Sequence, residues 1–239
     1  MRRLGFWRRL AVSLVKPPLI VWTEREWSGM EHIPQSGGVI LVFNHMSHFD
    51  PFAAAHYTYD AGRWPQFLAK ASVFKIPIAG AILRKVWQIP VSRGTADAVK
   101  ALDAAVDEVR NGACVVIYPE GSTTKEPDLW PMRGKTGAAR LALATGAPVV
   151  PVVMWGPQEV FDPRVKRLRM APGKKMIIQA GPPIDLSRWK DANPTSTTLY
   201  AITDEIMMVL RDMLAKIRGG TPPPLWTPSA AKRDAETKE

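Results

Sequence analysis

The sequence predicts an α/β domain: a mixed, mainly parallel sheet flanked by helices, with an N-terminal amphipathic helix suited to a membrane surface. Three observations predict it. Short continuous apolar runs rich in Val and Ile alternate with segments of helical periodicity from Gly37 onward, as expected for strands buried on both faces and the helices that connect them. The 239 residues suffice for one such domain with its own core. The N-terminus interleaves Arg2, Arg3, Arg8, Arg9 and Lys16 with Leu4, Phe6, Trp7, Leu10, Val12 and Leu14, and no acidic residue precedes Glu24.

Each element follows from local pattern. Leu10–Trp22 is too short to span a bilayer and is interrupted by Lys16, Pro17 and Pro18, since a span needs roughly 20 apolar residues. Cations beside Trp, Phe and Leu suit a helix lying among lipid headgroups; a helix packed on the domain with solvated arginines is the alternative. Strands are expected at Val39–Phe43, Gln66–Ala69, Trp87–Val91, Cys114–Tyr118, Val149–Met154 and Met176–Ala180. Helices are expected near Phe49–Tyr59, Ile78–Lys85, Ala96–Arg110, Lys135–Thr145 and Thr198–Ile217. Within Ala96–Arg110, Val99, Leu102, Ala105, Val106 and Val109 form one apolar face. Gly219–Pro224 stops the last helix, and the polar tail to Glu239 reads as disordered. The division is an anchor segment at 1–28, one domain at 29–218 and a tail at 219–239.

Composition narrows the partners. Thirty-two basic against 22 acidic residues give a net charge of +10, which suits anionic lipid, a polyphosphate ligand or nucleic acid. No nucleic-acid-binding motif occurs, so nucleic acid is not expected. The single cysteine, Cys114, excludes an internal disulfide and lies in the apolar run ACVVIY, where a small buried hydrophobe is expected.

Three strand ends carry polar groups. The run VILVF ends in Asn44-His45-Met46-Ser47-His48-Phe49-Asp50-Pro51, and ligands in open α/β sheets bind at the carboxyl ends of strands. Across a strand-to-helix turn, the spacing of His45 and Asp50 lets the carboxylate reach back to the imidazole, fix its tautomer and stabilise the imidazolium. A satisfied polar histidine would give the same spacing. Between Ala61 and Ala96 stand six basic residues and no acidic one, and Lys70 and Arg93 fall at strand ends facing the same edge; such groups suit a phosphate. Tyr118-Pro119-Glu120-Gly121-Ser122-Thr123 follows another strand. Gly121 permits close backbone approach, and the Ser122 and Thr123 hydroxyls can bind phosphate oxygens. His48 and His56 read as turn or helix surface, and no Cys/His cluster completes a metal site. Gly134-Lys135-Thr136 resembles the end of a P-loop, but Leu129 stands where that motif needs Gly. No G-x-S-x-G elbow occurs, so the attacking hydroxyl is assigned to a substrate.

NHMSHFDP resembles the H-x-x-x-x-D motif of the glycerolipid acyltransferases, typified by 1-acylglycerol-3-phosphate acyltransferase. VSR ending at Arg93, YPEGST, and Ala147-Pro148-Val149-Val150-Pro151-Val152 are similar to the family's second, third and fourth blocks, in order, between about Gly29 and Pro183. The third block departs from the usual F-P-E-G-T-R-S, because Thr123 follows Ser122 and the arginine is missing; Lys70 or Lys135 is the candidate replacement. The resemblance implies His45 as general base, Asp50 as its partner, and Arg93, Glu120 and Gly121 in acceptor binding. It implies an acyl-CoA or acyl-carrier-protein thioester as co-substrate, a phosphorylated lipid as acceptor, no cofactor and no metal. A peripheral or monotopic protein on the cytoplasmic face of the cell membrane is expected, with Ile76–Trp87 a candidate lining for an acyl channel.

Overall fold

A computed structural model describes residues 5–91, 97–165, 167–169 and 171–227, with all their side chains except those of Lys70, Ala79 and 97–101. Helix α1 (Phe6–Trp22) leads into β1 (Thr23–Ser28) and, after a short turn, β2 (Val39–Phe43). There follow α2 (Asp50–Asp60), β3 (Pro65–Lys70), α3 (Pro77–Lys85), β4 (Ile89–Val91), α4 (Asp97–Arg110) and β5 (Cys114–Ile117). Then come α5 (Gly137–Thr145), β6 (Val149–Trp155), α6 (Pro157–Val160), the hairpin β7 (Phe161–Asp162) and β8 (Arg167–Leu168), β9 (Lys174–Ala180) and α7 (Ser196–Arg218).

Seven strands form one sheet in the order β1-β9-β6-β2-β5-β3-β4. Strands β6, β2, β5, β3 and β4 are parallel; β9 runs antiparallel to β6 and carries β1 parallel to itself at the edge. The sheet is therefore mixed and mainly parallel, as the apolar runs require. All five residues of β2 are buried, which places it in the middle of the sheet with both faces covered. Strand alternation splits the core in two. Ile40, Val42, Val115, Ile117, Val149 and Val153 meet α4, α5 and α7 on one face. Val39, Leu41, Phe43, Val116, Val150, Val152 and Met154 meet α2 on the other. Helix α7 adds Leu199, Ile202, Ile206, Leu210 and Leu214, each fully buried; their three- and four-residue spacing makes one stripe. Thr195 caps its start, its hydroxyl accepting from the Thr198 N–H.

Three boundaries differ from the sequence reading. Residues 23–28, assigned to the anchor segment, are a strand paired with Lys174–Gln179. Its sequence TEREWS holds three charges, and only Thr23 is buried, so no apolar pattern announced it; the ladder to β9 makes it. Helix α1 continues through Pro17 and Pro18, although each lacks a backbone donor. Tertiary contacts offset that loss: Leu19 is buried, Lys16 pairs with Asp60 at 2.5 Å, and the Arg8 guanidinium lies 3.9 Å over the Trp87 ring. Finally, the chain after Gly219 returns along the domain. Leu225 packs on the core and Trp226 bridges to Met132, so the tail expected from 219 is laid down at least to Trp226.

Candidate active site

Strands β2, β5 and β3 are neighbours, and their parallel carboxyl ends bring the NHMSHFD turn and the YPEGST loop together. Asn44 holds the end of β2 in place: its amide donates to the Met154 carbonyl at 3.1 Å and accepts from the Met154 N–H at 2.8 Å. The next residue, His45, faces outward, with 14% of its side chain exposed. Asp50 stands first in α2 and is fully buried. Its Oδ2 lies 2.7 Å from His45 Nδ1. The same oxygen accepts from the N–H groups of Met46 at 2.6 Å and Ser47 at 2.9 Å. Burial pushes the Asp50 carboxyl above the usual carboxylate range, while His45 and the two amides oppose the rise. With Nδ1 committed to Asp50, Nε2 is the nitrogen left for proton transfer.

Both main-chain groups of His45 are tied to the loop after β5. Its N–H donates to Glu120 Oε1 at 2.8 Å, and its carbonyl accepts from the Thr124 N–H at 2.7 Å. Glu120 is 1% exposed, and its second oxygen accepts from the Met132 N–H at 3.2 Å. Burial raises its carboxyl to about 8. Gly121 has φ +74°, and a Cβ there would come within 2.9 Å of Lys135 Cδ. The Lys135 side chain thus crosses directly over the loop, exposed, with its N–H bonded to the Pro119 carbonyl at 2.8 Å.

The amino-acid pattern of the acyltransferase family matches residues 24–155, more than half of the chain. The chain belongs to the acyltransferase family. It is 29% identical over 187 residues to the 1-acyl-sn-glycerol-3-phosphate acyltransferase of Borreliella burgdorferi, which covers 77% of this chain and 70% of that protein. A chloroplastic 1-acyl-sn-glycerol-3-phosphate acyltransferase of Brassica napus is 31% identical over 135 residues, 56% of this chain; the match spans only 38% of that longer relative. The crystal structure of the Thermotoga maritima 1-acyl-sn-glycerophosphate acyltransferase PlsC shares the fold, with a TM-score of 0.62 at 23% identity over 93% of this chain and 86% of that one.

In this acyltransferase the residues expected at the site are brought together unevenly. His45 and Asp50 form a bonded pair. Lys70 ends β3 opposite Val91, which puts its backbone at the same sheet edge; its side chain and Arg93 lie outside what the structure describes. Ser122 and Thr123 are partly buried, with the Ser122 hydroxyl donating to the Thr123 carbonyl at 3.2 Å. Glu120 is turned inward onto the backbone. Its two oxygens are spent on backbone N–H groups, so it braces His45 from behind. His56 departs from the expected surface position: it is buried, its ring 4.6 Å from Trp27, and burial lowers its pKa to about 4. Its place on the inner side of α2 explains this, whereas His48 is exposed as expected. Among the described residues no three His, Cys, Asp or Glu side chains gather as metal ligands would.

Two contributors escaped the sequence. Thr124, one residue past the loop that was singled out, ties that loop to His45 and bonds the Trp130 carbonyl through its hydroxyl at 2.7 Å. Tyr118 lies against the imidazole, with ring centroids 4.2 Å apart and planes inclined by 23°. The sequence placed it in the YPEGST block without assigning it a role.

Proposed function

We propose that this protein transfers a fatty acyl group from a thioester, acyl-CoA or acyl-carrier protein, to the free hydroxyl of 1-acylglycerol-3-phosphate. The observation that carries the reading is the 2.7 Å contact between His45 Nδ1 and a fully buried Asp50 carboxylate. His45 Nε2 accepts the hydroxyl proton as that oxygen attacks the thioester carbonyl carbon. Asp50 stabilises the imidazolium so formed. The tetrahedral intermediate collapses, the C–S bond breaks, and the leaving sulfur takes the proton back from His45. A positioned base of this kind contributes roughly 10² to 10⁴ in rate. The step as written uses the two substrates, His45 and Asp50.

The acceptor phosphate is assigned to Arg93, with Lys70, Lys135 and the loop Gly121–Thr123 beside it. Lys135 suits the part because its side chain crosses Gly121 within a few ångströms and the arginine usual in this block is missing. We place the protein peripherally or monotopically on the cytoplasmic face of the cell membrane. Support comes from large apolar side chains open to solvent on α1 (Phe6, Leu14 and Val21) and near and on α3 (Ile76, Ile78 and Ile82). Among the described residues no helix is long and apolar enough to cross a membrane. Purified protein would be supplied with 1-acylglycerol-3-phosphate, other lysophospholipids and glycolipid acceptors, each with acyl-CoA and acyl-carrier protein, and thiol release followed. Turnover with 1-acylglycerol-3-phosphate that His45→Ala lowers by at least a hundredfold is expected. Turnover only with a different acceptor refutes the assignment of substrate, and parental turnover in folded His45→Ala refutes the mechanism.

A further inference from the structure

The bond from Asp50 reaches one atom on the edge of the His45 ring. A single edge contact fixes a direction in the plane of the ring, but it leaves the plane free to tilt about the line through that atom. Nε2 lies away from Nδ1, so tilt moves it out of line with an attacking hydroxyl. Something must hold the face of the ring as well as its edge, because a near-attack geometry tolerates little displacement.

Tyr118 meets that need. Its ring covers the imidazole face at 4.2 Å with an inclination of 23°. It is itself flanked by two rings: Phe67, nearly parallel at 6.4 Å and 18°, and Phe43, tilted at 6.1 Å and 57°. Phe67 belongs to β3, Tyr118 follows β5 and His45 follows β2, and these three strands are adjacent in the sheet. The three rings therefore span three adjacent strands, and each is anchored to a different one. Among the described residues the buried phenol oxygen has no hydrogen-bond partner. Burial also holds its pKa well above the ordinary value, so the ring remains neutral. What faces His45 is thus the π surface. An aromatic face attracts a cation more than a neutral ring, so the contact strengthens when the imidazole becomes imidazolium. Among the described residues, the titratable groups bonded to His45 are Asp50 at the ring edge and Glu120 at its backbone.

We infer that Tyr118 is a positioning residue for acyl transfer: its ring face fixes the plane of His45 and favours its protonated form, while its hydroxyl has no part. The inference rests on His45 being the general base, so His45→Ala is measured alongside. Tyr118→Phe keeps the face and removes an unpartnered buried hydroxyl; it should hold kcat within about threefold and leave Tm unchanged or higher. Tyr118→Leu and Tyr118→Met fill the space without a π face and should lower kcat on the order of tenfold with both KM values near parental. The ring protons of His45, followed by NMR, should keep their ring-current shift in Tyr118→Phe and lose it in Tyr118→Leu. Because Tyr118 acts through His45, Tyr118→Leu should not slow the residual rate of His45→Ala any further. If His45→Ala is inactive while folded Tyr118→Leu and Tyr118→Met keep parental kcat, the positioning role is wrong and the general base stands. If Tyr118→Phe loses a hundredfold with its fold intact, the hydroxyl is the working group and the inference is overturned. If His45→Ala itself turns over normally, the general base falls first.

Discussion

Asp50→Asn separates the charge of the dyad from its geometry. All three donors to Asp50 converge on one oxygen, Oδ2. An asparagine carbonyl can occupy that position and keep all three bonds. What disappears is the negative charge beside the imidazolium. For charge centres about 4 Å apart at an effective dielectric constant near 20, the lost stabilisation is about 4 kcal/mol, or roughly a thousandfold in kcat. Stability should change little, because two effects oppose. The amide nitrogen takes the place of Oδ1, which is buried with no hydrogen-bond partner among the described residues, and an unmade bond there costs about 1–3 kcal/mol. Against that, burial disfavours the carboxylate itself, and a neutral amide escapes that penalty. The variant is therefore expected to fold with near-parental Tm and circular dichroism, to bind both substrates with near-parental KM, and to release thiol from the acyl donor about a thousandfold more slowly. A correctly folded Asp50→Asn protein with kcat within tenfold of the parent would refute the electrostatic account and leave Asp50 as a turn-forming residue.

Other expectations follow from particular contacts. Glu120→Gln places an amide N–H₂ against backbone donors, so we expect a loss of about 2 kcal/mol in stability with an unchanged KM for the acceptor; a selective rise in that KM would assign Glu120 to acceptor binding. The Glu120 carboxyl is raised from 4.5 to about 8 in the folded protein, so its stabilising contribution is complete below pH 4.5 and is lost as pH rises through about 8. The Tm advantage of the parent over Glu120→Gln should accordingly shrink across that window, and parallel curves would contradict the shift. Arg93→Ala should raise the KM for a phosphorylated acceptor at least tenfold, with Arg93→Lys rescuing only in part because the fork is lost; unchanged acceptor saturation moves the phosphate to Lys135 or Lys70. Phe6→Ser combined with Leu14→Ser, at positions 70% and 66% exposed, should cut sedimentation with anionic vesicles without lowering Tm, and equal sedimentation would place the membrane contact elsewhere.

The fold was legible wherever burial dominates. Strands β2, β5 and β6 are covered on both faces, so their residues had to be continuously apolar, and each was read to within a residue. The edge strand β1 was invisible because five of its six positions are not buried; main-chain bonds to β9 define it, and main-chain bonds leave no mark on residue type. For the same reason His45 and Asp50 could be paired from spacing, but the part of Glu120 could not. An acidic residue in a Gly-containing loop reads as surface or substrate contact. Only the structure shows it turned inward onto the N–H groups of His45 and Met132. Two of the N-terminal cations have partners that the sequence does not reveal, for a related reason. Lys16 and Arg8 look free in sequence, yet Asp60, Trp64 and Trp87 lie across from them in the fold. Each cation near an anionic surface is worth about 1 kcal/mol, so the salt-sensitive share of vesicle binding should be smaller than five cations imply, and the apolar, salt-resistant share larger.

These contacts also bear on why a histidine proposed as general base stands just past a fully buried strand. A base gains little from a suitable pKa unless its free nitrogen is held still, and a loop in water cannot hold it. His45 is two residues past β2, whose side chains are completely covered, so its Cα inherits the rigidity of the core. The remaining freedom is removed in turn. Asn44 fastens the strand end to β6, Glu120 and Thr124 take the two main-chain groups of His45, and Asp50 takes Nδ1. Every one of these partners except His45 itself is buried at 8% exposure or less, so water competes with none of them. The cost is a buried acid on each side of the histidine, with both carboxyls raised by desolvation. Natural cores avoid such groups unless they are fully bonded. Their presence here, one on the imidazole and one on the backbone of the same histidine, is hard to account for by stability alone, because apolar side chains in the same places would fold at least as well. The arrangement makes sense if holding His45 is what the acids are for.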